Sequence, residues 1–405
     1  MDSMDDVGAL ALNVSPPSGG AGFGPGTTDG TRGQAVSGAT AAGQECRLSL
    51  VMPTVFWTGS FERCARRALE LIDRSPAPLE AIFVFDGVPP PAPAWLGRED
   101  VRIVATNRRA GPAAARNLAA HAALGSILFF VDADVELAPD AIERVLAAFA
   151  ADPDLVALFG AYDDEPAAAG VVSTFRNLLH HHTHAANPGA ASTFWTGCGA
   201  VRSAAFLDVG GFDESFAHPS VEDIELGMRI TANGGRIVLD PELQCKHLKQ
   251  WTLASMVFTD IVHRAVPWTR LILSQQRLPA TLNLDWRGRL GAICALGLAA
   301  SLVIACFTPI GLWAAVGWTA ALVLLNRDLY RLCLSKRGLR FAVASVALHW
   351  LYFMYSSLTF GVIATRERIA SRLVNSSWLS RVPRSSGSPS RPGRALTVET
   401  AAPTR

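Results

Sequence analysis

The sequence predicts an α/β protein: a mostly parallel sheet wrapped by helices, followed by apolar C-terminal segments that enter a membrane. Three observations carry this. Short apolar runs alternate with helix-period segments from Leu48 to Ala151, the rhythm of parallel strands joined by right-handed crossovers. One run, Ile127 to Val131 (ILFFV), has the unbroken apolar character of a strand buried on both faces. Beyond residue 289 the composition changes, and Leu290 to Leu325 is almost without charge.

The 405 residues divide accordingly. Residues 1–45 are rich in Gly, Ala, Ser and Thr without periodicity, and are expected to be disordered. Their acidic start argues against a secretory signal. Residues 46–250 form the α/β domain, 251–289 amphipathic interfacial helices, 290–364 a transmembrane region of two to three segments, and 365–405 a basic, largely disordered tail. Within the domain, strands are expected at Leu48 to Met52, Ala81 to Phe85, Val101 to Ala105, Ile127 to Val131 and Val156 to Tyr162. Arg236 to Leu239 and Leu243 to Lys246 close the sheet. Helices follow the first strand from Phe61, the third from Pro112, and the fourth from Pro139.

Net charge is +1, which offers no footprint for nucleic acid. The seven cysteines form no CxxC pair, so neither a disulfide framework nor a zinc site is expected, and a reducing, cytosolic side is inferred.

Chemistry is concentrated at the carboxyl ends of the strands, where parallel sheets bind ligands. Thr54, Asp86 and Asp132 all fall there. Asp132-Ala133-Asp134 can converge two carboxylates on one divalent cation; the plain alternative is a capped strand running into a solvated turn. Phe194 to Arg202 (FWTGCGAVR) reads as a tight, glycine-flanked turn or a backbone approach to a ligand. Glu222-Asp223 opens a helix and either serves the helix dipole or holds a general base in a cleft. The less regular region with His180, His181, His182 and His184 is expected to be a polar helix lining the acceptor cleft or to face solvent, because consecutive histidines point apart and suit a metal badly.

As one helix, Leu290 to Leu325 would be about 54 Å long against a hydrocarbon core of about 30 Å. Two spans turning near Thr308-Pro309 are expected. Phe341 to Ala364 is a third segment, either spanning or re-entrant, and Arg327 to Arg340 supply positive charge on the cytosolic side.

The order Met52-Pro53-Thr54, Asp86-Gly87, Gly111-Pro112…Arg116-Asn117, Asp132-Ala133-Asp134, Gly210-Gly211-Phe212-Asp213 and Glu222-Asp223 resembles family 2 glycosyltransferases of the GT-A fold, in particular membrane-attached bacterial members. The resemblance runs from Leu48 to Lys249. It implies transfer of a sugar from a nucleotide-sugar donor to a lipid or membrane-associated glycan acceptor, by an inverting displacement. It implies donor contacts from Pro53, Thr54, Asp86, Arg116, Asn117 and Asp132. Asp132, Asp134 and His247 would hold Mg²⁺ or Mn²⁺, and Thr196, Gly197, Cys198 and Gly199 would line the acceptor side. Glu222 and Asp223 would be catalytic, with Asp223 the base. The implied location is the inner membrane, multi-pass, with the catalytic domain cytoplasmic. A phosphate acceptor, such as a polyprenyl phosphate, would need no base. An inactive scaffold with the same fold is the rival from another class. Only one acidic residue ends the second strand where the family commonly has two. The Gln-x-x-Arg-Trp motif of processive synthases is missing, so a polymerase is not expected.

Overall fold

The computed structural model describes residues 47–275 and 286–379, with side chains described as far as Ala370. The disorder expected for residues 1–45 and for the tail from Ser380 lies outside the described residues, as does part of the interfacial stretch.

The chain builds β1 (Leu48–Thr54), α1 (Gly59–Arg74), β2 (Leu79–Phe85), β3 (Val101–Ala105), α2 (Pro112–Ala122), β4 (Ile127–Val131), β5 (Val135–Leu137), α3 (Ala141–Ala151), β6 (Leu155–Tyr162), α4 (Val171–Ala185), β7 (Gly189–Ala191), β8 (Cys198–Arg202), α5 (Ser203–Asp208), α6 (Glu222–Ala232) and β9 (Arg236–His247). One sheet holds all nine strands in the order β3-β2-β1-β4-β8-β6-β9-β5, with β7 beside β9. Its leading half, β3-β2-β1-β4, is parallel. Strand β8 then enters antiparallel between β4 and β6.

The period-2 alternation of the strands explains the two layers. Leu48, Leu50, Phe83, Phe85, Phe129 and Val131 face α1 and α3. Val51, Ile82, Val84, Leu128 and Phe130 face α2, α5 and α6. Every residue of β4 is buried, as the run of five apolar side chains predicts. α1 is started by the Thr58 hydroxyl, which accepts from the Phe61 N–H.

One reading is corrected. Phe194 to Arg202 is not a turn throughout: Cys198 to Arg202 form β8, with Val131 opposite Cys198 and Phe130 opposite Gly199. The histidine region is a helix, α4, as the polar-helix reading expects, and its buried face includes Ser, Thr, Asn and His beside Phe175 and Leu178.

After the domain, α7 (Leu253–Phe258), a π-helical turn (Thr259–Ala265) and α8 (Val266–Gln275) run in succession. α9 (Trp286–Ala305) and α10 (Ile310–Leu325) pack together across the expected turn at Thr308-Pro309. α11 (Arg327–Leu379) is broken by Gly338, whose φ of 80° is non-helical. Trp286–Ala305 and Arg327–Ala370 are long and apolar enough to cross a membrane; Ile310–Leu325 is apolar but shorter.

Candidate active site

The carboxyl end of β4 is the centre of the site. Asp132 leaves the strand with its N–H on the Gly197 carbonyl at 3.4 Å, and Val135 donates back to the Asp132 carbonyl at 3.0 Å, closing the turn that carries Asp134. β5 pairs antiparallel with β9, with Val135 opposite His247. That register puts His247 Nε2 3.5 Å from Asp134 Oδ2. The His247 ring is held by Tyr162 at the end of β6, stacked at 4.5 Å with an interplanar angle of 8°.

Arg116, on α2, reaches the same rim. It is 5% exposed, and donates Nη2 to Asp132 Oδ1 at 2.8 Å and Nη1 to Glu222 Oε1 at 2.9 Å. Its Nε is buried without a partner among the described residues. The buried guanidinium is thus neutralised by two carboxylates from distant parts of the chain, as a buried charge requires. Glu222 is consumed by this role, because its other oxygen accepts from Ser220 N–H at 2.8 Å. The sequence puts Glu222 beside Asp223 as a catalytic group; the structure makes it an anchor for Arg116 instead.

Asp223 is different. Oδ2 lies 3.3 Å from the Thr196 N–H and 3.4 Å from its hydroxyl, and Oδ1 accepts from the Ile224 N–H at 2.8 Å. These contacts include no ion pair. Burial pushes its carboxyl up to about 7, and the negative charge of Glu222 adds to the rise against the pull of Arg116. Burial also raises Asp132 above the usual carboxylate range despite Arg116, with the Asp134 charge pushing the same way. At Asp134 burial acts upward too, but the His247 hydrogen bond and the nearby Lys249 leave it below its ordinary value.

Other expected donor contacts are engaged by the protein itself. Asp86 accepts from the Ala110 N–H at 2.7 Å and the Gly111 N–H at 3.1 Å, and lies 3.0 Å from the Thr106 hydroxyl, so it organises the loop into α2. Asn117 donates to the Phe212 carbonyl and to Glu214, both at 2.9 Å, and accepts from the Phe212 N–H at 2.8 Å. The resemblance puts both side chains against the nucleotide; here both clamp backbone. The Thr54 hydroxyl donates to the Phe56 carbonyl at 2.8 Å, and Pro53 lies in β1 opposite Val84.

On the expected acceptor side, Thr196 and Gly197 border Asp223 and Asp132 respectively. Cys198 does not line a cleft: it is fully buried in the core on one face of the sheet. Gly199 is likewise a sheet residue. Sequence reasoning missed the aromatic wall beside them. Trp195 packs on Tyr162 at 5.0 Å and on His180 at 4.7 Å, and His180 lies 4.1 Å from His184, its neighbour one turn on. His184 donates Nδ1–H to the Gly160 carbonyl at 2.8 Å. Burial keeps His180 and His184 neutral, His184 at about 4. The signal was present, since Tyr162 ends a strand and Trp195 precedes Thr196.

No set of three or more His, Cys, Asp or Glu side chains among the described residues forms a closed metal cage. Mg²⁺ and Mn²⁺ do not need one. Mg²⁺ keeps several waters and takes one or two carboxylates plus substrate phosphates. Asp134 and His247 supply two ligands at one point, and Asp132 carries a charge whose repulsion by Asp134 a cation would relieve. The residues fit such an ion.

Residues 49–210 match the family model for glycosyl transferase family 2. Over this stretch the chain is similar to glycosyl transferase family 2. The match ends before Glu222, Asp223 and His247, so those residues rest on geometry. No curated relative matches. Among solved structures, a mannosyltransferase from Pyrobaculum calidifontis, in complex with GDP-Man and Mn²⁺, is 17% identical, with a TM-score of 0.46 over 79% of this chain and 88% of that one. GalNAc-T7 with UDP, GalNAc and Mn²⁺ is 17% identical, with a TM-score of 0.40 over 51% and 44%. TarS 1–349 of S. aureus is 14% identical, with a TM-score of 0.43 over 77% and 90%. Likenesses of this size are remote.

Proposed function

We propose that this glycosyltransferase works at a membrane, moving a sugar from a nucleoside diphosphate to a hydroxyl of a membrane-associated acceptor with inversion at the anomeric carbon. The observation that carries the reading is the division of labour at the start of α6. Glu222 is locked onto Arg116, while Asp223 lies beside Thr196 with no cation bound to it. A carboxylate whose burial lifts it to about 7 is a competent base near neutral pH. Asp223 takes the acceptor proton as the acceptor oxygen bonds to the anomeric carbon. The bond from that carbon to the diphosphate oxygen breaks on the opposite face. Arg116 fixes Asp132 and Glu222, which sets the floor of the cleft. Pro53, Thr54 and Asp132 border the donor.

Asp134 and His247, with Asp132 beside them, would hold Mg²⁺ or Mn²⁺, which supplies charge neutralisation for the departing diphosphate. The membrane part of the reading rests on the exposed apolar surface of the C-terminal helices. Phe307, Ile310, Trp313, Val316 and Leu324 are all more than 60% exposed, a surface that suits lipid. The catalytic domain would then lie on the cytoplasmic face of the inner membrane.

The test is the Asp223→Asn variant of the full chain, with nucleotide-sugar and a membrane extract as acceptor source. Transfer should fall at least about a hundredfold, since base catalysis contributes roughly 10²–10⁴, while donor binding stays within about twofold. Transfer at the wild-type rate would refute the assignment.

A further inference from the structure

The π-helical turn Thr259–Ala265 is an element the reaction described above does not use, and single π turns often mark functional positions. It is held from two sides. Asp260 is buried and bonded by both terminal nitrogens of Arg176 on α4, at 2.8 and 2.5 Å, and by the Tyr355 hydroxyl of α11 at 2.6 Å. His263 lies 6.1 Å, ring to ring, from His218 in the loop that leads to Glu222 and Asp223. The turn therefore bridges α4, which carries the aromatic wall, and the approach to the base.

Arg264 directly follows His263, four residues from Asp260. It is exposed, and among the described residues it makes no hydrogen bond and no ion pair. Desolvation first, then the like charge of Arg176, lower its pKa, while Asp260, Tyr162 and Asp223 act the other way, so the guanidinium lies within electrostatic reach of the base. Asp260 is already spent on Arg176 and Tyr355. A guanidinium left unpaired at the mouth of a cleft, on a turn fixed by a buried ion pair, is set to meet an incoming anion. Arginine's planar fork suits phosphate oxygens in particular.

We infer that Arg264 binds a phosphate group of a substrate entering this cleft. This rests on the glycosyl-transfer reading, and two substrates present that chemistry: the donor diphosphate and a lipid phosphate on the acceptor side. The Arg176–Asp260–Tyr355 contact positions the residue.

The experiment uses the full chain in detergent with Mn²⁺, comparing wild type, Arg264→Ala, Arg264→Lys and the control Arg270→Ala, whose partner Glu367 lies on α11. UDP and GDP are titrated against UMP and GMP, and farnesyl phosphate is titrated as a competitor of transfer. If Arg264 grips the donor, Arg264→Ala weakens diphosphate binding about tenfold or more, the scale of a charge-assisted hydrogen bond. Monophosphate binding then changes less than about twofold. If it grips a lipid phosphate, both nucleotide series stay unchanged and farnesyl phosphate weakens about tenfold instead. Arg264→Lys should retain part of either effect. Wild-type values for Arg264→Ala in both arms would overturn the inference while leaving the glycosyl-transfer reading intact. Failure of wild type to bind UDP or GDP at all would overturn both.

Discussion

Asp223 shows how one position acquires its chemistry from its surroundings. Its neighbour Glu222 has the same functional group and sits at the same helix start, yet is paired with Arg116 at 2.9 Å. Asp223 has only a backbone N–H and a hydroxyl near Oδ2. A base must be deprotonated to act, and burial raises the pH at which Asp223 gives up its proton to about 7. The rate of transfer, measured as kcat/KM across pH, should therefore fall about tenfold per unit below pH ~7 and level off above it. A profile flat down to pH 5 would contradict this. The sequence presented Glu222 and Asp223 as a pair and could not say which was free, because the partner that separates them, Arg116, lies 106 residues away. Asp134 was legible from the end of an apolar strand and His247 only through the family resemblance, and the pairing of Val135 with His247 brings the two together.

At the scale of elements, loops leaving strand ends set the cleft, and buried polar side chains set the loops. The turn into α2 shows the dependence. Gly111 has φ of 96°, its N–H is held by Asp86, and a Cβ there would meet the Ala217 backbone at 2.7 Å. Ala217 belongs to the segment that leads to Glu222 and Asp223. Gly111→Ala should thus combine backbone strain with a clash, costing on the order of 1–3 kcal/mol or more, visible as a lower Tm and as reduced transfer. An unchanged Tm would show that the two loops are not in close contact. Elements carried by hydrophobic period, such as β4 and α1, were readable in the chain. β8 was not, because its Gly, Cys and Ala residues imitate a turn and its strand character comes from pairing on both sides. α4 was legible only as a polar helix without bounds, because its inward face mixes Phe175 and Leu178 with Ser, Thr, Asn and His that bond to neighbouring segments.

The whole molecule joins a sheet with a charged rim to helices with an apolar surface. The joint is the stretch Leu253–Gln275, tied to the domain through Arg176 and Asp260 and to α11 through Tyr355. The positions of the apolar helices were legible from composition, since a long uncharged run leaves few alternatives. The tie was not, since Arg176, Asp260 and Tyr355 are far apart in the chain and each is unremarkable by itself. The central claim is that Asp134 and His247 at the end of the sheet bind a cation bridged to a nucleoside diphosphate. Its most direct measurement is calorimetric titration of UDP and GDP into wild type and Asp134→Ala, with and without Mn²⁺. The account predicts that wild type binds at least one of them only with the metal, and that Asp134→Ala loses about tenfold or more of that affinity. Tight binding that ignores both the metal and the substitution would contradict it.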